Sequence, residues 1–447
     1  MTTELYPDFT DKPVKFDLTQ MLAPRLGVVY DVFGDSSLKV FGSFGIYYDV
    51  MKLYMAELTF GGWKRVQDYY SLNVLDYRLI AASGAFDDRA SQSAGGNYIG
   101  SLDFLPPSFG RVDPNLKPTA QREISFGAEK KLTEDLSVSA RFVNKHLIRT
   151  IEDVGVWQIV DNGDGTTSWT ETFYICNPGF GWSLPTTQGG KFADRYTDPD
   201  TGLSYPMWPT PKATREYYGL NLALEKRFSH NWQGGLSYTW SRCEGNYSGL
   251  ASSDEVGYDY AGVGRVGPNV ELYYDDYFIM YDAKGKVLHG PLGQDRTHYI
   301  KGYGSYSFPW GLTVGLVAYG RSGLPLTSKL LLNDRFIYPE GRGDVGRLPF
   351  TFWADLYVEY AMKIASKYKA SINLQVNNFT NTSTIQSHEM HLNLDGIYAT
   401  DAQILDGTLA NTYHQMVADA GDTSFGYNKW DTRFGTWSAR LGIKFSF

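Results

Sequence analysis

The residue types that do chemistry gather in a few short stretches of this 447-residue chain. His388-Glu389-Met390-His391 sets two imidazoles and a carboxylate close together, the donors that hold zinc. A zinc-protease helix needs HExxH, which puts both imidazoles on one face with the Glu as general base. The spacing here differs and the stretch lies in a long connection, so it reads as a solvated loop with no metal. Asp161-Asn162-Gly163-Asp164-Gly165 lacks the 1-3-5 carboxylates and the twelfth-position Glu of a calcium loop, and reads as a tight turn. Asp198-Pro199-Asp200-Thr201-Gly202 reads the same way. Ser366 and Lys369 have S-x-x-K spacing without its companion motifs, and neither a G-x-S-x-G elbow nor a P-loop occurs. No catalytic residue and no cofactor is expected. Cys176 and Cys243 are the only thiols. An oxidising export route would allow a disulfide between them, but they also read as two unrelated thiols, because sequence gives no distance.

Aromatics are abundant, with 33 Tyr, 25 Phe and 11 Trp. Trp157, Trp169, Trp182, Trp208 and Trp430 lie in long connecting segments, as do Tyr258, Tyr260 and Tyr274. Exposed rings of this kind stack on sugars and grip peptides, so they are the candidate ligand contacts for an oligosaccharide, peptide or chelate. The competing reading is that they pack loop against loop.

Positioning these loops requires a scaffold, and its pattern is plainest at the C-terminus. Phe447, Phe445, Ile443, Leu441, Ala439 and Trp437 alternate with Ser446, Lys444, Gly442, Arg440, Ser438 and Thr436. That period of two predicts a strand with one apolar and one wet face. The alternation recurs in hairpins at 21–49, 122–145, 217–243, 297–321 and 350–377, turning near 34–37, 133–135, 229–230, 309–311 and 365–367. With the last strand this makes about eleven. Between hairpins run long connections at 51–120, 150–212, 244–294, 322–348 and 380–432. Soluble domains rarely hold such loops without structure, whereas outer-membrane barrels alternate tight periplasmic turns with long extracellular loops.

The wet face carries Arg141, Glu225, Arg227, Lys301, Asp355, Glu359, Asn373, Gln375, Arg440 and Lys444. In a sandwich core these would be buried without partners at high cost; lining an aqueous lumen they stay solvated. Trp232, Trp240, Trp310 and Trp437 sit near strand ends as girdle anchors, with Phe447 at the terminus. The expected fold is therefore all-β: an antiparallel up-and-down transmembrane barrel portion, with lipid against its outer face. No apolar run approaches the roughly 18 residues of a membrane helix. The net charge of −8 argues against a nucleic-acid partner. The start, MTTELYPDFTDKP, lacks the basic and apolar regions of a signal peptide.

The stretches LAPRLGVVYDVFGDSSLKVFGSFGIYYD (22–49), VDPNLKPTAQREISFGAEKKLTEDLSVSARFVNKHLIRTIEDVG (112–155), YYGLNLALEKRFSHNWQGGLSYTWSRCEGNYSGLASSDE (217–255) and ARLGIKFSF (439–447) resemble TonB-dependent outer-membrane receptors. The resemblance is to the Oar-like subgroup, whose members begin with a carboxypeptidase-regulatory-like domain. It implies a 22-stranded barrel with an N-terminal plug and a TonB box. This sequence shows neither, so 1–447 is expected to be a single C-terminal half-barrel segment. The resemblance further implies energised uptake of a ligand caught by extracellular loops, a TonB motor acting through the missing N-terminal part, and recognition of Phe447 by the barrel-assembly machinery. A passive porin-like or structural barrel is the alternative, and a barrel-rim enzyme a more distant one.

Overall fold

A computed structural model describes residues 18–49, 65–70, 98–105, 116–161, 167–180, 195–197, 204–206, 211–249, 274, 277–333, 335–364, 368–394, 396–400, 403–404, 406–421, 427 and 429–446. The chain divides into two units. The first comprises 1–15, 50–116 and 182–192, and the second comprises 16–49, 117–181 and 193–447. In the first, Arg65–Tyr70 pairs antiparallel with Tyr98–Leu105.

The second unit is built on one antiparallel sheet. Its main path runs through β1 (Arg25–Asp31), β2 (Leu38–Tyr48), β3 (Ala120–Lys131), β4 (Leu136–Arg149), β5 (Arg215–Ser229), β6 (Trp232–Gly245), β7 (His298–Ser307), β8 (Leu312–Arg321), β9 (Thr351–Lys363), β10 (Lys369–Asn377) and β11 (Ser438–Ser446). Each strand pairs with its neighbour in sequence, the order an up-and-down meander dictates. The two-residue strand Gly290–Pro291 adds to β6 alone. Among the described residues, β1 and β11 each pair on one side only.

The short turns explain themselves. Between β5 and β6 only His230 and Asn231 intervene, at φ of 50° and 67°, the two left-handed positions of a type I′ turn. Between β1 and β2, Asp31 caps the turn: its two carboxylate oxygens accept from the Gly34 and Ser36 amides at 3.1 and 2.8 Å.

Register settles which residues share a face. One row runs Trp232, Tyr306, Val314, Val358, Leu374, Leu441, and the next runs Gln233, Ser305, Gly315, Tyr357, Gln375, Arg440. The first is apolar and the second polar across six strands. Among the described residues no layer covers the apolar rows: Leu222, Ile372 and Leu441 are 40%, 44% and 73% exposed. This is a sandwich turned inside out. The apolar face ends in polar residues at both edges. On β5 these are Glu216, paired with His146, and Lys226, paired with Asp135 at 2.6 Å. At roughly 3.3 Å per residue and a tilt near 40°, Glu216 to Lys226 spans about 25 Å, the height of an outer-membrane apolar band.

The long connections, expected to be structureless, are built. Glu152–Asp161 pairs with Thr167–Cys176, Arg195–Thr197 with Ser204–Pro206, and Ile385–His388 with Trp430–Arg433. Within 322–348 two more hairpins form, Pro325–Leu326 with Gly346–Arg347 and Leu330–Leu332 with Arg335–Ile337. The segment before β11 carries the helix α1 (Leu409–Asp419). The two tight turns read at 161–165 and 198–202 fall between paired strands, though residues 162–166 and 198–203 lie outside the described residues. So does the turn at 365–367.

Candidate functional site

Two surfaces qualify: the polar face of the wall and the cap formed by the long connections. The polar face is hydrogen-bonded along its length. Ser43 and Ser125 share a hydrogen bond at 2.7 Å, Tyr303 donates to Glu225 at 2.9 Å, Tyr357 donates to Glu359 at 3.0 Å, and Asp355 accepts from the Asn378 amide at 2.7 Å. Lys301 lies 4.6 Å from the Tyr299 ring centroid. Gln375 pairs with Arg440 and Ser371 with Lys444 across β10 and β11, and the Asn373 amide lies over Gly442, where a Cβ would stand 2.7 Å from its oxygen. Arg141 and Lys145 converge on Glu123 at 3.7 and 3.2 Å. The ten expected polar residues thus share this face, except Arg227. It falls within the register shift between Lys226 and Ser229, at the turn end of β5.

The polar face also holds an aromatic ladder that the sequence reading passed over. Tyr319 and Trp353 stack at 4.8 Å, Phe434 meets Trp353 at 5.0 Å, and Arg321 lies 5.3 Å above the same indole. The signal was present: Trp353 shares its parity with Asp355 and Glu359.

The four tryptophans read as girdle residues lie at or beside strand ends. Trp232 and Trp310 are exposed at the short-turn edge, Lys226 sits over the Trp232 ring at 4.8 Å, and Trp310 joins Phe308 and Tyr360 at 5.4 and 6.0 Å. Trp240 pairs with Leu220 and His298 near the other edge, and the exposed Trp437 precedes β11. Phe447 lies outside the described residues.

The cap is where the second unit hides its side chains. Leu330, Leu332, Ile337, Ile404, Leu409 and Tyr413 are buried, drawn from two separate connections. Asn393 clamps Leu331 by accepting from its amide and donating to its carbonyl at 2.8 and 2.9 Å. Tyr413 donates to Glu340, whose other oxygen accepts from Lys284 at 3.0 Å. That bond to Lys284 holds the Glu340 carboxyl below its ordinary value.

His388-Glu389-Met390-His391, expected as a solvated loop, is instead part of this packing. Met390 is buried with Leu326 and Leu348, and the His391 ring lies 4.6 Å from Phe336. Burial alone would raise the Glu389 carboxyl, but the His391 amide and ring outweigh it and hold it below its ordinary value. Among the described residues no metal-holding group of three donors occurs.

Of the candidate ligand contacts, Tyr274 is corrected. It is 2% exposed, donates to the Pro211 carbonyl at 3.1 Å and packs on Tyr247 at 6.3 Å. Burial, reinforced by Glu152, raises the phenols of both tyrosines. Trp157 and Trp169 fall on facing strands of one hairpin, and Trp430 opens another. Trp182, Trp208, Tyr258 and Tyr260 lie outside the described residues. Cys176 and Cys243 are both buried and no disulfide joins them. Cys243 belongs to β6, and its amide donates to Asp295 at 2.6 Å; Arg347 holds the second Asp295 oxygen. This buried carboxylate ties the wall to the cap.

Comparison with known proteins places this geometry. The profile of an outer membrane beta barrel domain matches residues 10–320. The TonB-dependent transporter Oar of Myxococcus xanthus is 26% identical over 382 residues, covering 80% of this chain and 31% of that protein. The chain therefore spans about a third of the length of the curated relative it matches. Among solved structures, the outer membrane transporter YddB from Escherichia coli matches at TM-score 0.45 and 10% identity, over 94% of this chain and 40% of that one. The siderophore receptor PiuA from Acinetobacter baumannii matches at TM-score 0.40 and 9% identity, over 94% and 35%.

Proposed function

We propose, because the chain belongs to the outer membrane beta barrel domain family and so resides in the cell outer membrane, that it forms the C-terminal wall and cap of a TonB-dependent uptake receptor. The observation that carries this is the inverted sheet with a packed cap on its long-loop side. Apolar rows meet lipid, a hydrogen-bonded polar face lines a passage, and the cap offers a structured surface for capture. Similarity to Oar supports energised uptake over passive diffusion. The open sides of β1 and β11 would pair with further strands to close the barrel, since unpaired ladders in lipid are costly. In this reading Trp157, Trp169, Trp182, Trp208, Tyr258, Tyr260 and Trp430 remain candidate ligand contacts, and Phe447 addresses the chain to the assembly machinery.

The test is depletion of solutes from the medium by cells carrying the gene at its natural length. Gene-dependent depletion that stops when a protonophore is added supports the receptor. Depletion that persists with the protonophore supports a passive barrel and overturns energised uptake. No gene-dependent depletion of any solute overturns both.

A further inference from the structure

The receptor reading leaves the chemistry of the cargo open, and one feature of the polar face narrows it. Between β3 and β6, near the cap, a pocket of about 460 Å³ opens on that face. Glu123, Arg141, Lys145 and Arg215 line its sides, and Cys243 and Gln294 lie at the β6 end. Tyr217 shapes the floor: its ring lies across Gly219, where a Cβ would stand 2.7 Å from the phenol oxygen. Any larger residue at Gly219 would lift the ring into the space.

Charge selects the occupant. Three cations surround the pocket against one carboxylate. Arg141 and Lys145 both lean on Glu123, at 3.7 and 3.2 Å, and Arg215 donates to the Ser248 carbonyl at 2.7 Å, so its charge stays uncompensated there. A guanidinium fork beside an ammonium suits a carboxylate or phosphate group. Gln294 adds a second requirement. Its Nε2 faces the Cys243 sulfur at 3.8 Å, and its Oε1 is buried without a hydrogen-bond partner. An orphaned buried acceptor is costly and is relieved by a donor.

We propose that this pocket binds a small hydroxylated polyanion, its acid groups held by Arg141, Lys145 and Arg215 and a hydroxyl donated to Gln294. The proposal rests on the receptor reading only for how the solute arrives, because binding at the wall needs no energised step.

Cys243 provides a reporter inside the pocket. Isolated outer membranes of cells carrying the gene at its natural length are treated with an anionic or a cationic methanethiosulfonate. Modification is read by mass spectrometry of the tryptic peptide that begins at Cys243. The anionic reagent should react at least tenfold faster than the cationic one. Millimolar citrate, a hydroxylated polycarboxylate, should slow it at least fivefold, and inorganic phosphate, lacking the hydroxylated carbon frame, should slow it less. The double variant Arg141→Gln, Lys145→Gln should equalise the two reagents and abolish protection, while Lys39→Gln, outside the pocket, should change neither. A cationic reagent that reacts as fast, no protection by citrate, an unchanged double variant, or a thiol inert to both reagents each overturns the site. None of these results touches protonophore-sensitive depletion, so failure of the site and failure of the receptor reading are separable.

Discussion

The wall and the cap use the same apolar residues in opposite ways. On the wall, Leu222, Ile372 and Leu441 point away from the protein and stay exposed. In the cap, Leu330, Leu332 and Ile337 are completely buried. The difference is the solvent each region meets. Lipid tails are as apolar as leucine, so the wall gains little by hiding it and must instead satisfy every backbone group through the ladder. The cap stands in water, where burial of apolar surface is the main stabilising term. The wall is therefore held by hydrogen bonds between neighbours in sequence, and the cap by packing between segments far apart.

Substitutions break or sharpen this contrast in a definite order. The largest effect is expected at the joint. Arg347→Ala leaves the buried Asp295 carboxylate without its counter-charge, which should cost about 3–5 kcal/mol. Hydrogen exchange should quicken at Cys243 and 292–295 and leave β9 to β11 unchanged; Asp295→Asn in the same chain should restore much of the loss. Next comes the cap core: Leu330→Ala should cost about 2–5 kcal/mol by cavity formation, seen as faster proteolysis of 322–348. Leu222→Ala on the wall should cost a small fraction of that, since lipid refills the space. Equal costs at the two sites would refute the contrast.

Charge gives the converse. Leu222→Arg at mid-height of the wall should cost about 2–4 kcal/mol in urea unfolding from lipid vesicles. Gln375→Arg on the polar face should be close to neutral by the same measurement. A smaller, pH-dependent effect belongs to the cap. Because Lys284 holds Glu340 below its ordinary 4.5, that stabilisation is complete above the ordinary value and is lost as the pH falls through the lower folded one. Exchange in the cap should accelerate as the pH falls below the ordinary carboxyl value, and Glu340→Gln should remove that step. The smallest effect is expected at Lys39→Gln: the exposed 2.5 Å pair with Glu129 should contribute less than about 1 kcal/mol.

The sequence by itself determined the wall. A period of two is a property of each strand alone, so Leu222, Ile372 and Leu441 could be assigned to one face and Asn373, Gln375 and Arg440 to the other without a partner. Gly and Asp at 34–35 likewise marked their own turn. Trp353 was legible on the same grounds, since its parity is that of Asp355 and Glu359. The cap was decided only by tertiary structure. Nothing local shows that Met390 packs with Leu326 and Leu348, that Tyr274 is buried on Tyr247, or that Asp295 meets Arg347. Those pairings join residues tens of positions apart, with no periodicity to announce them. The polyanion pocket is of the same kind: β3 to β6 each supply one edge, and the excess of positive charge exists only where the strands lie side by side.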